Sequence, residues 1–367
     1  MHLSTKLIWP AGNYFVVLAA WLCWPHHGAN AAAPEFSFVA FGDMYDKPAS
    51  AYDIEKILYQ DIAVQIRTKT EIPFAIDLGD IGRPENGSSC NDAALLKRKA
   101  LWWNVMVKPV FYTPGDNDWT DCDRAKTMDE NGKINPVSEL YRLDQVRKWL
   151  TDTPQGIDKS WGYERQENFP ENAIWRYRDV VFITLHIVGT FNGRDLNPAR
   201  PETLIDDKAT TARLADERDQ ANALWLRRAF TLAAEDGGVR AVVMAIQADP
   251  FEPYTGVNPG ATLLEQCVAH PLGMYKAFCS DLGQLAGKLN KPVLLIHGDT
   301  SPYCLDRPAA VAAPLLWRLN APGDFNAFDA GAALVTVAAG DAARPFQAVG
   351  LLNGQPAPAE CKFEDAK

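Results

Sequence analysis

The chain has 367 residues, 47% hydrophobic and 22% charged, with 25 Gly and 25 Pro. That usage excludes a disordered tail, a collagen-like repeat and a disulfide mini-protein, and it suits one large domain or two modest ones. The 46 acidic against 36 basic residues leave a formal charge of −10 without a Lys/Arg run, which argues against a nucleic-acid polymer as partner.

The N-terminus reads as a signal peptide over 1–31. Lys6 precedes an apolar run at 14–24 (YFVVLAAWLCW), too short to span a bilayer comfortably, and Ala29-Asn30-Ala31 supplies a small-x-small cleavage site. The other reading of this segment is an uncleaved anchor. No later segment is long and apolar enough to span, so the expectation is an exported protein, periplasmic or secreted.

Apolar runs and amphipathic stretches then alternate. Residues 36–41 (FSFVAF) read as a buried strand ending at Gly42-Asp43, and 51–69 as a helix with Ile54, Ile57, Leu58, Ile62 and Ile66 at helical spacing. A second strand over 73–78 ends at Gly79-Asp80. A helix follows over 92–107, with Ser89 or Asn91 placed to cap it, and a third strand over 109–113 ends at Pro114-Gly115-Asp116. Residues 180–188 (VVFITLHIV) read as a long strand, 210–235 as the strongest helix, and 239–247 and 292–296 as buried strands around a helix near 272–289. The tail at 333–338 and 346–352 reads as antiparallel strands, and the Pro/Gly clusters at 82–89, 197–201 and 252–260 as loops. The alternation predicts a mostly parallel α/β sheet with a second sheet packed in the same domain. Chemistry in such folds sits beyond the carboxyl ends of the strands.

Once Cys23 leaves with the signal peptide, six cysteines remain. An even count in an exported chain predicts disulfides. Their spacing leaves many connectivities open; the favoured set is Cys90–Cys122, Cys267–Cys279 and Cys304–Cys361.

Five strand ends carry polar groups: Gly42-Asp43, Gly79-Asp80, Gly115-Asp116-Asn117-Asp118, Gln247-Ala248-Asp249 and His297-Gly298-Asp299. One Gly-Asp is an ordinary turn. A series of them, each ending a predicted strand, points to carboxylates gathered at one mouth. At about 4 Å, two carboxylates repel by roughly 4 kcal/mol at an effective dielectric of about 20. Such a cluster must protonate, hydrogen-bond heavily or hold a cation.

These segments resemble the calcineurin-like metallophosphoesterase superfamily, whose successive strand ends carry Asp-x-His, Gly-Asp-x-x-Asp, Gly-Asn-His-Asp/Glu, a lone His and Gly-His-x-His. Gly79-Asp80-Ile81, Pro114 to Asn117, Trp119 to Cys122 and His297 to Asp299 look most like a divergent, exported bacterial branch. The resemblance implies a four-layer α/β/β/α sandwich of two mixed sheets, one domain over 32–367, and a metal-dependent phosphoester hydrolase in which a metal-bound hydroxide attacks phosphorus. Asp43, Tyr45, Asp80, Asp116, Gln247, His297 and Asp299 match its metal positions. Asn117 stands where the family has its catalytic His, and an amide cannot transfer a proton at neutral pH. Asp118 matches the acid that would orient that His. His297 and His186 are the remaining candidates for an acid, His186 equally reading as a satisfied core histidine. Arg83, Arg124 and Asn192 are the candidates for contacting a small phosphoester or other phosphate-bearing ligand. The surviving donors are mostly oxygens, which suits Mn²⁺, Mg²⁺ or Ca²⁺ better than the Fe or Zn that the resemblance also implies. The substitutions at Tyr45, Asn117 and Gln247 leave a second reading, a binding protein that has lost catalysis. An unrelated serine esterase is disfavoured, since no Gly-x-Ser-x-Gly occurs.

Overall fold

The central strands β1, β6, β7 and β8, at 36–41, 180–184, 241–245 and 293–297, bury residues on both of their faces, and that decides the layering. In the computed structural model, which describes residues 34–44, 53–83, 89–124, 136–196, 203–252, 261–300, 302–323, 329–341 and 343–361, the strands are β1 (Phe36–Phe41), β2 (Ala75–Asp77), β3 (Val110–Tyr112), β4 (Glu164–Gln166), β5 (Phe169–Tyr177), β6 (Val180–Thr184), β7 (Ala241–Ala245), β8 (Val293–His297), β9 (Cys304–Asp306), β10 (Leu316–Asn320), β11 (Ala333–Val337) and β12 (Phe346–Gly350). They form two mixed sheets, in the orders β12-β11-β1-β2-β3 and β4-β5-β6-β7-β8-β10-β9. Strands β1, β2 and β3 run parallel, as do β6, β7, β8 and β10.

The period of two along a strand sorts the side chains. Phe38, Ala40, Ile76 and Phe111 of the first sheet and Trp175, Phe182, Val243 and Ile296 of the second meet between the sheets. Trp175 stacks on Phe111 at 3.6 Å between ring centroids, and each such ring contributes roughly 1.5–3 kcal/mol by burial. Val39 and Phe41 point the other way, onto Ile54, Leu58, Ile62 and Met106 of the helical segments that cover the first sheet. Val181, Met244 and Leu295 meet Leu226 and Phe230 of the helix Lys208–Glu235 and Leu282 of the helix Lys276–Lys288. The result is the helix/sheet/sheet/helix sandwich that the resemblance implies.

Several expectations shift in detail. The tail strands do not build a sheet of their own: β11 pairs antiparallel with β1 and extends the first sheet. The strand read over 180–188 stops at Thr184, because the His186 N–H is taken by the Asn172 side chain and the Ile187 N–H turns back to Leu185. β5 and the helix Glu139–Leu150 are absent from the sequence reading. The buried part of β5 includes Glu171 and Asn172, which obscure its apolar pattern until His186 and Asn222 are seen to bond them. The three favoured disulfides are all present. The signal-peptide reading lies outside the described residues. Among the described residues, no helix is long and apolar enough to cross a membrane.

Candidate metal centre

The parallel strands of both sheets deliver their following loops to one place. Gly42-Asp43 leaves β1, Gly79-Asp80 follows β2, Asp116 follows β3, and Gly298-Asp299 leaves β8. Asp43, Asp80 and Asp299 have φ of 53°, 51° and 69°, the left-handed region that most side chains avoid. Each such residue costs of order 1 kcal/mol or more, and such conformations concentrate at functional sites. The strain turns three carboxylates inward: oxygens of Asp43, Asp80 and Asp299 lie within 4.8 Å of one another.

Close backbone approach makes this room. Gly79 (φ 85°) runs so near Pro114 and Gly115 that no Cβ fits. At Gly189, at the loop after β6, a Cβ would sit 2.5 Å from Asp299 Oδ2 and 2.6 Å from Asp116 Oδ2. The Asp299 N–H donates to Asp43 Oδ1 at 3.1 Å and so ties the two sheets together at the mouth.

Beneath the cup lie two buried carboxylates with structural tasks. Asp77 accepts from Gly79 N, Trp102 Nε1 and Arg98 Nη1 at 3.1, 2.9 and 3.2 Å. Burial pushes its carboxyl up to about 6, against the pull of Arg98. Asp118 accepts from Asp80 N (3.1 Å), Ile81 N (2.8 Å), Gly115 N (2.9 Å) and Tyr112 Oη (2.8 Å), which locks the second and third site loops together. Asp118 is therefore a tie between loops, in place of the expected partner to a proton-transferring group. Asp80, at the centre, has its carboxyl pushed well above the usual range by burial and by the charges of Asp116, Asp43, Asp118 and Asp299. The Cys90–Cys122 disulfide links the segments that follow these same two loops.

Asp116 joins the cup through protein donors: Oδ1 accepts from Asn117 N at 3.0 Å and Oδ2 from Thr190 Oγ1 at 2.6 Å. Arg124 contacts Thr190 and Asp121, so it stands one side chain away from Asp116. Gln247 is turned opposite to a ligand: its Oε1 accepts from Gly189 N at 2.7 Å and its Nε2 points at Asp80 and Asp116. His297 faces away from the cup, with Nδ1 on the Gly298 carbonyl at 3.1 Å and Nε2 3.7 Å from Asp249 Oδ1. It shares the strand face of Val293 and Leu295, so the pleat carries its ring toward the helical layer. His186 is wholly buried, bonded to Glu171 Oε1 at 3.1 Å and edge-on to Trp119. Burial lowers it to about 4, against the pull of Glu171, so it is a neutral core histidine and the acid role does not fit it. Asn192 spends its carboxamide internally, accepting from Val188 N and donating to Asp219. Arg83 is half-buried. Tyr45 lies outside the described residues.

Gly189, Thr190 and Asp77 escaped the sequence reading. The signals were present: a Gly-Thr pair ending the fourth apolar strand parallels the Gly-Asp pairs, and an Asp inside the buried PFAIDL run demands a partner.

No protein-family model matches the sequence, and no curated protein matches it. Among solved structures, the chain is similar to the crystal structure of a dimetal phosphatase from Danio rerio, with 13% identity, a TM-score of 0.50, and coverage of 89% of this chain and 100% of that one. At that identity the likeness is one of fold.

Proposed function

We propose that this chain is a metal-dependent phosphoester hydrolase, exported as a single domain over 32–367, that acts on a small phosphate-bearing molecule. The observation that carries the proposal is the convergence of Asp43, Asp80 and Asp299 at the carboxyl ends of strands from both sheets. The fold likeness to a dimetal phosphatase supports it, and the three disulfides agree with an oxidising compartment.

The donor set fits a hard divalent cation, since all three side chains offer carboxylate oxygen and their mutual repulsion calls for positive charge. When bound, such a cation supplies Lewis-acid stabilisation of charge on phosphoryl oxygens and acidifies water. The chain's own residues do the remaining work. Gly189 keeps the mouth clear of side chain, Thr190 and Arg124 place a hydroxyl and a guanidinium beside Asp116, and the Asp118 tie and the Cys90–Cys122 bridge hold the loops in place. Preorganised donors of this kind serve a phosphoryl group whose charge grows in the transition state. Neither of the acidic groups able to share a cation contains a histidine among the described residues. Substrates with acidic leaving groups, which need no proton from the protein, are therefore expected to react best.

The second reading is a phosphate-ester binding protein without turnover. The observation that favours it is Asn117 at the family's histidine position, with His297 and His186 both engaged elsewhere. Nitrophenyl phosphate mono- and diester hydrolysis, assayed with Mn²⁺, Mg²⁺, Ca²⁺ and Zn²⁺, separates the two. Metal-dependent turnover abolished by Asp80→Asn is the expected result. Metal binding without turnover selects the second reading, and no metal binding refutes both.

A further inference from the structure

Asp80 and Asp116, two of the metal positions that the family resemblance implies, meet a buried neutral group. Gln247, wholly buried just past β7, is fixed at both ends of its carboxamide. Gly189 N–H donates to it at 2.7 Å, and only an oxygen can accept that bond, so the amide has one orientation. Its Nε2 then aims one hydrogen at Asp80 Oδ2, 3.3 Å away, and the other at Asp116 Oδ1, 3.0 Å away. Asn117 N adds bonds to Asp80 Oδ1 at 3.1 Å and Asp116 Oδ1 at 3.0 Å, and Thr190 Oγ1 holds Asp116 Oδ2 at 2.6 Å. Both oxygens of Asp116 are thus satisfied by protein donors. At the cup, the carboxylates close enough to share a cation are Asp43, Asp80 and Asp299, without Asp116.

We propose that the Gln247 carboxamide is a built-in replacement for the second cation, so that the cup takes one divalent ion, on Asp43, Asp80 and Asp299, and Asp116 takes none. This rests on the reading of the cup as a cation site and adds the number of ions it holds. An amide N–H pair performs electrostatically, and without exchange, part of what a divalent ion does between two carboxylates. It also closes the position: an ion there would need oxygens at roughly 2.0–2.6 Å, with an acceptor where Gln247 presents donors. On the Asp116 side, contact with a phosphate oxygen then falls to Arg124, since Thr190 spends its one O–H on Asp116.

The test counts ions. Full-length mature protein is stripped with chelator, loaded with Mn²⁺, freed of excess by gel filtration, and read by elemental analysis and by electron paramagnetic resonance. One Mn²⁺ per chain is expected, with the resolved hyperfine pattern of an isolated ion. Gln247→Glu, equal in size but presenting an acceptor to Asp80 and Asp116, is expected to raise the count to two and to broaden the signal by exchange coupling. Two coupled ions in the wild type overturn the proposal while leaving the hydrolase reading standing. An unchanged count of one in a folded Gln247→Glu protein removes Gln247 as the cause and also overturns it. No bound ion in the wild type overturns the cup as a cation site and this proposal with it. Should the variant not fold, the wild-type count and line shape decide alone.

Discussion

Replacing Asp80 by Asn should stabilise the cation-free protein, the opposite of what removing a buried charge partner normally does. The Asp80 oxygens lie within 4.8 Å of those of Asp43 and Asp299. At an effective dielectric of about 20, each pair repels by about 3 kcal/mol. The amide removes both repulsions. It also loses one charge-assisted bond, because Asn117 N and Gln247 Nε2 both donate to the carboxylate and only one end of an amide accepts; that loss costs about 1.5–3 kcal/mol. Burial and the neighbouring aspartates push the Asp80 carboxyl above its usual range, which offsets part of this gain. The net gain expected near neutral pH in chelator is about 2 kcal/mol. Mn²⁺ should then reverse the order: about a hundred-fold excess over Kd stabilises the wild type by about 2.7 kcal/mol and the variant far less. Urea unfolding followed by far-UV circular dichroism, with and without Mn²⁺, reads both terms. A variant less stable than the wild type in chelator would refute the claim that Asp43, Asp80 and Asp299 repel one another by more than the Asp80 hydrogen bonds return. Equal stabilisation of both proteins by Mn²⁺ would refute Asp80 as a ligand.

Asp118→Asn should act in the opposite sense, costing about 3 kcal/mol whether or not metal is present, since it strands at least one buried backbone donor among Asp80, Ile81 and Gly115; a loss under 1 kcal/mol in the same urea assay would remove its role as the tie. Glu139 gives a pH test. Its carboxyl is raised from 4.5 to about 8, chiefly by burial and then by Asp123, against the Thr203 hydrogen bond. The folded state holds that proton more tightly than the unfolded one, so the stability it brings is full below about pH 4.5 and is lost as pH rises through about 8. Glu139→Gln should match the wild type near pH 4.5 and exceed it above pH 8 by a few kcal/mol; parallel stability curves would contradict this.

Much of the architecture was readable one segment at a time. FSFVAF, PVLLI and the leucine-rich helix at 208–235 declare their periods locally, and each Gly-Asp after an apolar run marks a turn that ends a strand. Asp43, Asp80, Asp116 and Asp299 could be nominated as neighbours because parallel strands send their carboxyl ends to one edge whatever the connections between them. Polar residues inside strands hid others, as in β5, where Glu171 and Asn172 are buried only because His186 and Asn222 bond them from distant segments.

The direction in which a buried polar side chain faces could not be read this way. Gln247 resembles a weakened ligand until the Gly189 N–H, 58 residues away, claims its oxygen and turns its nitrogen to the aspartates. His297 stands in the expected motif, yet the strand pleat and Asp249 hold it away from the cup. Residue type and spacing nominate donors and acceptors, whereas their orientation depends on which partners the packed sheets bring within about 3 Å, and in a buried site that orientation separates a ligand from a substitute for one.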